Sequence, residues 1–449
     1  MSLVIGRRSG EAEHTDEAAL AAEADLDRRG TWWSVALGTG FGVLAMLYSL
    51  YGYSWLYHKR LGGRHVWYAP QDIWEVVGAG RFVWHGALQL VYGEFITYAL
   101  PLSFFLTAPA SAVVEHYNLV QGIVPVYRPS AWLVIGPYSL IFGIFLLDAV
   151  RRLSWDLGLR RKLWAVQLLA VGIVLVPGFE FGHFEDVIAL TFVLHAIRYL
   201  MAAEMGRAAL LLSLAIATKQ WAVMLVPLVV LRAPAGRRIR TLVEACALPA
   251  LLLGFFLAID FHHTFRAMFE PLNLVKNFPG HGSFFATWLG TETSRWSRSL
   301  GAVLAVGLGF AFRRVTVGPR LLACVSVVLL LRPLSEAVNY SYYWSPALLL
   351  AGLVGLAAHR RFRIRDWIGP AAAIAWTLPH GNPHATTLWW LGELLWLALT
   401  YLQVLVNCGI VPRLKYQSAD ADIHAMVPPS AVAVLVDHRR PSPPTEDVP

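Results

Sequence analysis

Ionisable side chains embedded in apolar sequence mark the places where this chain could carry out chemistry. An acidic, histidine-bearing corner contains His183, Glu185 and Asp186, and Lys219 follows it between two apolar runs. Arg332 ends a later apolar run in the same way. Ionisable groups at membrane depth are costly unless they are paired or line a cavity, so by default they indicate a working site.

Each of these groups has a functional and a structural interpretation. Lys219 and Arg332 are either point charges for an anionic headgroup such as a phosphate, or side chains that extend towards a membrane surface. The acidic corner predicts a polar pocket, but Asp186 is also suited to cap the helix that follows it. The sequence leaves both pairs of alternatives open.

Asp72 is the candidate catalytic base. It opens the phrase QDIWEVVGAG in the first long polar loop, where it would start a short helix with an apolar side. A carboxylate in such a loop can accept a proton from a substrate hydroxyl. The alternative is an ordinary helix N-cap. Glu75, one turn later, is interpreted as a solvated partner.

Composition predicts an all-α polytopic membrane protein. The chain has 449 residues, of which 57% are hydrophobic and 15% charged, and its mean hydropathy is +0.52. A soluble chain of this length would need more polar surface. The net charge of +8 is distributed over loops and does not indicate a nucleic-acid partner.

Arginine-rich clusters define the predicted topology, because short loops rich in Arg and Lys stay on the cytoplasmic side. Placing all of them inside predicts about twelve crossings with both termini cytoplasmic. The predicted spans are 32–55, 131–149, 163–178, 186–203, 207–219, 220–231, 241–260, 299–312, 320–335, 343–358, 366–379 and 386–410.

The predicted organisation has three parts. Residues 1–31 form a cytoplasmic polar tail, 32–411 the membrane domain, and 412–449 a proline-rich, disordered cytoplasmic tail. The main extracytoplasmic loops are 56–130 and 261–298. The first contains the apolar piece Ala99–Ser111, which is too short to span and is interpreted as interfacial or re-entrant, with the spanning alternative left open.

Evidence for a metal or cofactor is weak. His262, His263 and His281 lie in the second loop without a third ligand at a fixed spacing, and no phosphate-binding glycine loop is present. The cysteines lie far apart in apolar runs, as buried thiols do. We predict no cofactor and leave the metal requirement open.

Several phrases together resemble a known family. They are His85-Gly86, Val91-Tyr92, Tyr98-Ala99-Leu100-Pro101, Gly182-His183-Phe184-Glu185-Asp186 and Leu214-Ala215-Ile216-Ala217-Thr218-Lys219-Gln220. In this order, after Asp72, the sequence resembles the GT-C superfamily of integral-membrane glycosyltransferases. It is most similar to glycosyltransferase family 87, which includes polyprenyl-phosphate-mannose-dependent mannosyltransferases. The resemblance covers most of residues 32–410.

The resemblance implies two residue roles: Asp72 would be the general base, and Lys219 would hold the donor phosphate. From their placement we also assign Arg332 and His183 to the donor phosphate. The predicted acceptor pocket is lined by Glu185, Asp186, Tyr340 and Tyr342. One departure is the run Tyr340-Ser341-Tyr342-Tyr343-Trp344, where the phosphatidylinositol-mannoside enzymes of the family have paired histidines, so the acceptor is not fixed.

The sequence therefore predicts a bacterial plasma-membrane enzyme with an extracytoplasmic active site. It would move a hexose, mannose by resemblance, from a polyprenyl-phosphate donor to a glycolipid or envelope glycan. The predicted partners are these lipids, and the oligomeric state is open. Two alternatives come from other classes: a multi-pass transporter or flippase of envelope precursors, and a non-catalytic lipid-binding scaffold.

Overall fold

A computed structural model describes ten stretches of the chain. They are residues 21–22, 24–44, 71–93, 99–119, 132–176, 178, 182–269, 295–315, 318–336 and 341–358. The chain divides into two compact units, Met1–Ile410 and Val411–Pro449, and every described residue belongs to the first. The described regular structure is entirely helical, which confirms the all-α class.

Fourteen α-helices are labelled here in chain order, the first over its described residues 24–44. The next are α2 Gln71–Trp84, α3 Pro101–His116, α4 Trp132–Asp156, α5 Leu163–Ala170, α6 Phe184–Met201, α7 Met205–Thr218 and α8 Val226–Arg232. The remainder are α9 Arg238–Ile259, α10 Phe261–Phe269, α11 Arg295–Phe312, α12 Pro319–Leu329, α13 Leu331–Ser335 and α14 Ser341–Ala358. A π-helical turn, Val171–Leu175, continues α5, and the 3₁₀ helix Gln220–Leu225 precedes α8.

Two of the described helices are long and apolar enough to cross a membrane, namely Val134–Asp156 and Ala235–Ile259. Several other helices begin and end within a few residues of predicted spans, and α4 runs further, to Asp156. The predicted spans 366–379 and 386–410, and the tail 412–449, lie outside the described residues.

Basic side chains near helix ends contact neighbouring helices. Arg198, at the C-terminus of α6, donates to Asp156 Oδ2 at 2.6 Å, and Lys162 Nζ donates to the Leu356 carbonyl at 2.8 Å. A third contact joins the end of α8 to the loop after α11, where the Arg232 guanidinium donates to a main-chain carbonyl. The first contact joins the C-terminal ends of α4 and α6, and the acidic corner lies at the opposite end of α6.

Helices α2 and α3 form a tight pair. Thr107 Oγ1 donates to the Val76 carbonyl at 3.2 Å and Ser111 Oγ to the Val77 carbonyl at 2.7 Å. Gly80 faces both hydroxyls so closely that a Cβ there would lie 2.7 Å from each oxygen. Helix α3 covers most of the predicted short helix Ala99–Ser111. It begins at Pro101, since proline is favoured in the first turn of a helix, and it continues to His116.

Candidate functional site

A sharp turn presents the acidic corner. Gly182 has a φ of +77°, a conformation that glycine adopts at little cost, and the His183 N–H donates to the Gly178 carbonyl at 2.8 Å. Helix α6 then starts, with Glu185 and Asp186 in its first turn. Carboxylates are stabilised there by the positive end of the helix dipole.

Lys219 lies at a break in the helical backbone. Its extended conformation, with φ −148° and ψ 127°, separates α7 from the following 3₁₀ helix. Its Nζ donates to Glu185 Oε1 at 2.7 Å and lies 3.7 Å from Asp186 Oδ2. The side chain is only 8% exposed, so it enters the interior and pairs there instead of extending to a surface.

Arg332 reaches the same corner from a second interrupted helix. Pro333 has no N–H to donate to the Leu329 carbonyl, and α12 ends at that residue before the short α13 carries Arg332. The Arg332 Nη1 donates to Asp186 Oδ1 at 2.8 Å. The whole guanidinium-bearing residue is 2% exposed.

Aromatic rings enclose these charges. The indole Nε1–H of Trp221 donates to Asp186 Oδ1 at 2.5 Å. The Arg332 guanidinium carbon lies 4.3 Å from the Tyr343 ring centroid, and the His183 ring stacks on Tyr342 with centroids 4.0 Å apart. A desolvated cation gains energy from such contacts.

We name His183, Glu185, Asp186, Lys219 and Arg332 the ion-pair cluster. Two carboxylates face two cations within it, so its formal charge is zero when the histidine is neutral. Desolvating four charged groups is expensive, and apolar residues of the same volume often give equal or greater stability. A cluster of this kind is therefore weak evidence for stability and a reasonable candidate for a working site.

Three members of the cluster also have the side chains of a metal site. Ligand atoms of His183, Glu185 and Asp186 all lie within 4.8 Å of one another. However, Lys219 Nζ and Arg332 Nη1 already occupy positions at 2.7 and 2.8 Å from the carboxylates. A divalent cation on the same oxygens would be strongly repelled by these charges, so the donor set fits Lys and Arg better than a metal.

Helix α2 shares an apolar cluster with the start of α6. Its buried residues Val76 and Val77 belong to the same apolar cluster as Phe184 and Ile188, which flank the acidic pair in α6. Asp72 is the second residue of α2, and its side chain lies outside the described residues. Convergence of Asp72 with the acidic corner therefore stays a prediction.

A main-chain bond joins the first loop to the residue before Lys219. The Leu100 N–H, immediately before α3, donates to the Thr218 carbonyl at 3.3 Å. This carbonyl belongs to the last turn of α7, where no intrahelical partner is available. The α2–α3 pair is therefore attached directly to the backbone that positions Lys219.

The structure brings together six of the predicted site residues, which are the ion-pair cluster and Tyr342. Asp186 is the third residue of α6 and pairs with Arg332, so the cap interpretation is wrong. Tyr340 lies outside the described residues. Sequence reasoning missed Trp221 as a hydrogen-bond donor. The signal that could have found it is its position two residues after Lys219 in an apolar run.

Comparisons with known proteins returned no match, whether against protein-family models, curated proteins or solved structures. The resemblance to family 87 thus stands on the residues quoted for it. Function must be argued from the site.

Proposed function

We propose that the protein is a membrane glycosyltransferase that moves a hexose from a polyprenyl-phosphate donor to a glycolipid or envelope glycan. The observation that carries the proposal is the position of the ion-pair cluster. It is buried at the N-terminal end of α6, opposite the end that Arg198 joins to Asp156, and the helix that bears Asp72 shares an apolar cluster with this end of α6. The family resemblance supplies the substrate class.

The surface of α9 supports a membrane setting. This helix is 22 residues long, about 33 Å at 1.5 Å per residue, which matches the hydrocarbon thickness of a bilayer. Its apolar side chains are largely exposed, Ile239 at 80% and Leu251 at 72%. Such a surface requires lipid or another apolar partner. Together with the arginine-rich loops, it favours the predicted multi-pass topology of about twelve crossings.

The reaction needs one base and an activated donor. The Asp72 carboxylate accepts the proton of an acceptor hydroxyl, whose oxygen forms a bond to the anomeric carbon from the face opposite the leaving group. The bond between this carbon and the phosphate oxygen breaks, its electron pair leaves with polyprenyl phosphate, and the configuration inverts. General-base assistance contributes about 10²–10⁴-fold in rate.

Transfer from labelled polyprenyl-phosphate-mannose in membranes of expressing cells tests the proposal. Membranes with the protein should form labelled product with glycolipid acceptors, and Asp72→Asn should abolish formation. Glu75→Gln is the matched control, because it neutralises a carboxylate one turn later on the same helix. Absence of product with every polyprenyl-phosphate hexose tried would refute the proposal.

A transporter or flippase is the second candidate. Lys219 and Arg332 both lie at interruptions of helices, a placement typical of transporter binding sites. This candidate predicts movement of the intact lipid-linked sugar across proteoliposomes without an acceptor, at a rate that Asp72→Asn leaves unchanged. The glycosyltransferase proposal predicts no movement of the intact lipid-linked sugar without an acceptor. It also predicts that Asp72→Asn abolishes transfer to the acceptor.

A further inference from the structure

The ion-pair cluster has its cations matched by its own carboxylates. Lys219 Nζ lies 2.7 Å from Glu185 Oε1, and Arg332 Nη1 lies 2.8 Å from Asp186 Oδ1. Trp221 is a second donor to the Asp186 oxygen already bound by Arg332. A phosphate entering this cluster would have to compete with two carboxylates for the same two cations.

Several buried polar atoms of the cluster have no hydrogen-bond partner among the described residues. They include Glu185 Oε2 and Asp186 Oδ2, on residues that are 1% and 7% exposed, although Lys219 Nζ lies 3.7 Å from the Asp186 oxygen. Arg332 Nε is a donor without a partner in the same cluster. Buried polar atoms normally have partners, so these atoms are sites where a ligand can bind.

We infer that the ion-pair cluster binds the hydroxyl groups of a sugar and not the donor phosphate. Each sugar hydroxyl donates one hydrogen bond and accepts others, so two hydroxyls of one sugar can satisfy Glu185 Oε2, Asp186 Oδ2 and Arg332 Nε. A phosphodiester at neutral pH brings only acceptors and a negative charge, which two carboxylate oxygens repel. The inference rests on the proposed function only for the substrate class, and it assigns Lys219 and Arg332 to positioning the carboxylates.

Distances within the cluster suit a single sugar ring. One ligand atom from each of His183, Glu185 and Asp186 lies within 4.8 Å of the others, so one small ligand can reach all three residues. Hydrogen bonds to charged acceptors are the stronger kind. A site built on them discriminates sharply against a ligand that lacks the hydroxyl.

Ligand binding to the purified full-length protein in lipid nanodiscs tests the inference without requiring transfer. The probes are methyl mannoside and methyl glucoside, which are uncharged, and dimethyl phosphate, a phosphodiester anion. Saturation-transfer NMR should show binding of at least one hexoside, and dimethyl phosphate should not displace it. Displacement by dimethyl phosphate, or binding of dimethyl phosphate alone, would overturn the inference, as would a cluster that binds neither hexoside.

Variants separate the carboxylates from the cations. Glu185→Gln replaces one carboxylate oxygen by an amide NH₂ donor in a side chain of the same shape. We expect hexoside binding to weaken roughly tenfold or more. Glu204→Gln should leave hexoside binding unchanged, because Glu204 is an exposed carboxylate that pairs with Arg207 between α6 and α7. If hexosides bind but no transfer occurs with any donor, the proposed function fails and this inference stands; if transfer occurs and hexosides do not bind the cluster, the reverse holds.

Discussion

Arg332 is the residue on which the integrity of the ion-pair cluster depends most. Its guanidinium is buried and pairs with Asp186 at 2.8 Å. Arg332→Met removes the cation and leaves an uncompensated buried carboxylate, so we expect a loss of about 3–5 kcal/mol in the free energy of unfolding. Denaturant titration of the purified protein in detergent measures this loss.

The double variant supplies the control for this expectation. Replacing Arg332 by Met and Asp186 by Leu together removes both charges, and most of the lost stability should return. Full loss in the double variant would show that packing of the arginine stem, and not its charge, is the stabilising contribution.

A substitution of Trp221 tests the contribution of its indole N–H to the cluster. Trp221→Phe keeps an aromatic ring next to Arg332 but removes the N–H that reaches Asp186 at 2.5 Å. A hydrogen bond to a charged group contributes about 1.5–3 kcal/mol, and the unfolding free energy should fall by this order. An unchanged stability would mean that water replaces the indole donor.

The residues of the cluster also show what sequence could and could not predict. Charges in apolar sequence identified Glu185, Lys219 and Arg332, because burial of such groups demands a reason. Sequence could not show that the cations and the carboxylates pair with one another, since the partners lie 34 and 146 residues apart. That pairing is what changes the expected ligand from phosphate to hydroxyl.

At the level of helices, the close contact between α2 and α3 gives a prediction about position. Gly80→Ala would place a Cβ 2.7 Å from the hydroxyls of Thr107 and Ser111, so the two helices must separate. Because α2 carries Asp72, we expect the rate of transfer to fall at least tenfold, the scale on which small misplacements reduce catalysis. Donor binding should change less.

Gly254→Ala is the matched control for this helix contact. It lies inside α9, where nothing approaches an added Cβ within 4 Å. Alanine there should be neutral or stabilise by up to about 1 kcal/mol through helix propensity. Equal loss of activity in both variants would show that the loss does not arise from the α2–α3 contact.

We expect the stability of the N-terminus of helix α10 to depend on pH. The small loss of solvent contact acts to raise the pKa of Asp260, but hydrogen bonds from the His263 ring and main-chain N–H, and the nearby histidine charges, lower it overall. Stabilisation by this carboxylate is therefore present above its unfolded pKa of about 3.9 and is lost as the pH falls through the lower folded value. Amide hydrogen exchange in α10 should accelerate in that range.

Asp260→Asn is the control for the pH effect. Asparagine also caps a helix but does not titrate, so hydrogen exchange in α10 of this variant should show no step at acidic pH. A step that persists in the variant would assign the effect to other carboxylates.

Helix boundaries were the part of the fold best predicted from sequence. Apolar runs and arginine clusters placed α6, α7, α9 and α14 to within a few residues, because a hydrocarbon-compatible helix is bounded by the polar residues that flank it. The run 320–335 was predicted as one span, and the structure divides it into α12 and α13. Pro333 was present in the sequence as the signal for this interruption.

For the whole molecule, the distribution of charge predicts sidedness. The predicted topology puts Arg160 and His85 on opposite sides of the membrane, so single cysteines at these positions, in a background without the native thiols, test it. In intact cells an impermeant thiol reagent should label the cysteine at His85 and not the one at Arg160, since basic loops stay cytoplasmic. Labelling of Arg160→Cys alone would reverse the predicted topology.

The hydrogen bond between Leu100 N–H and the Thr218 carbonyl has a consequence for how this protein can vary. Both atoms belong to the main chain, so nineteen of the twenty amino acids at position 100 preserve the donor, and all twenty at position 218 preserve the acceptor. An alanine scan would pass over this attachment without detecting it, and homologous chains could diverge freely at both positions while keeping it. Only proline at position 100, which lacks the N–H, would break this hydrogen bond between the segment before α3 and the main chain before Lys219.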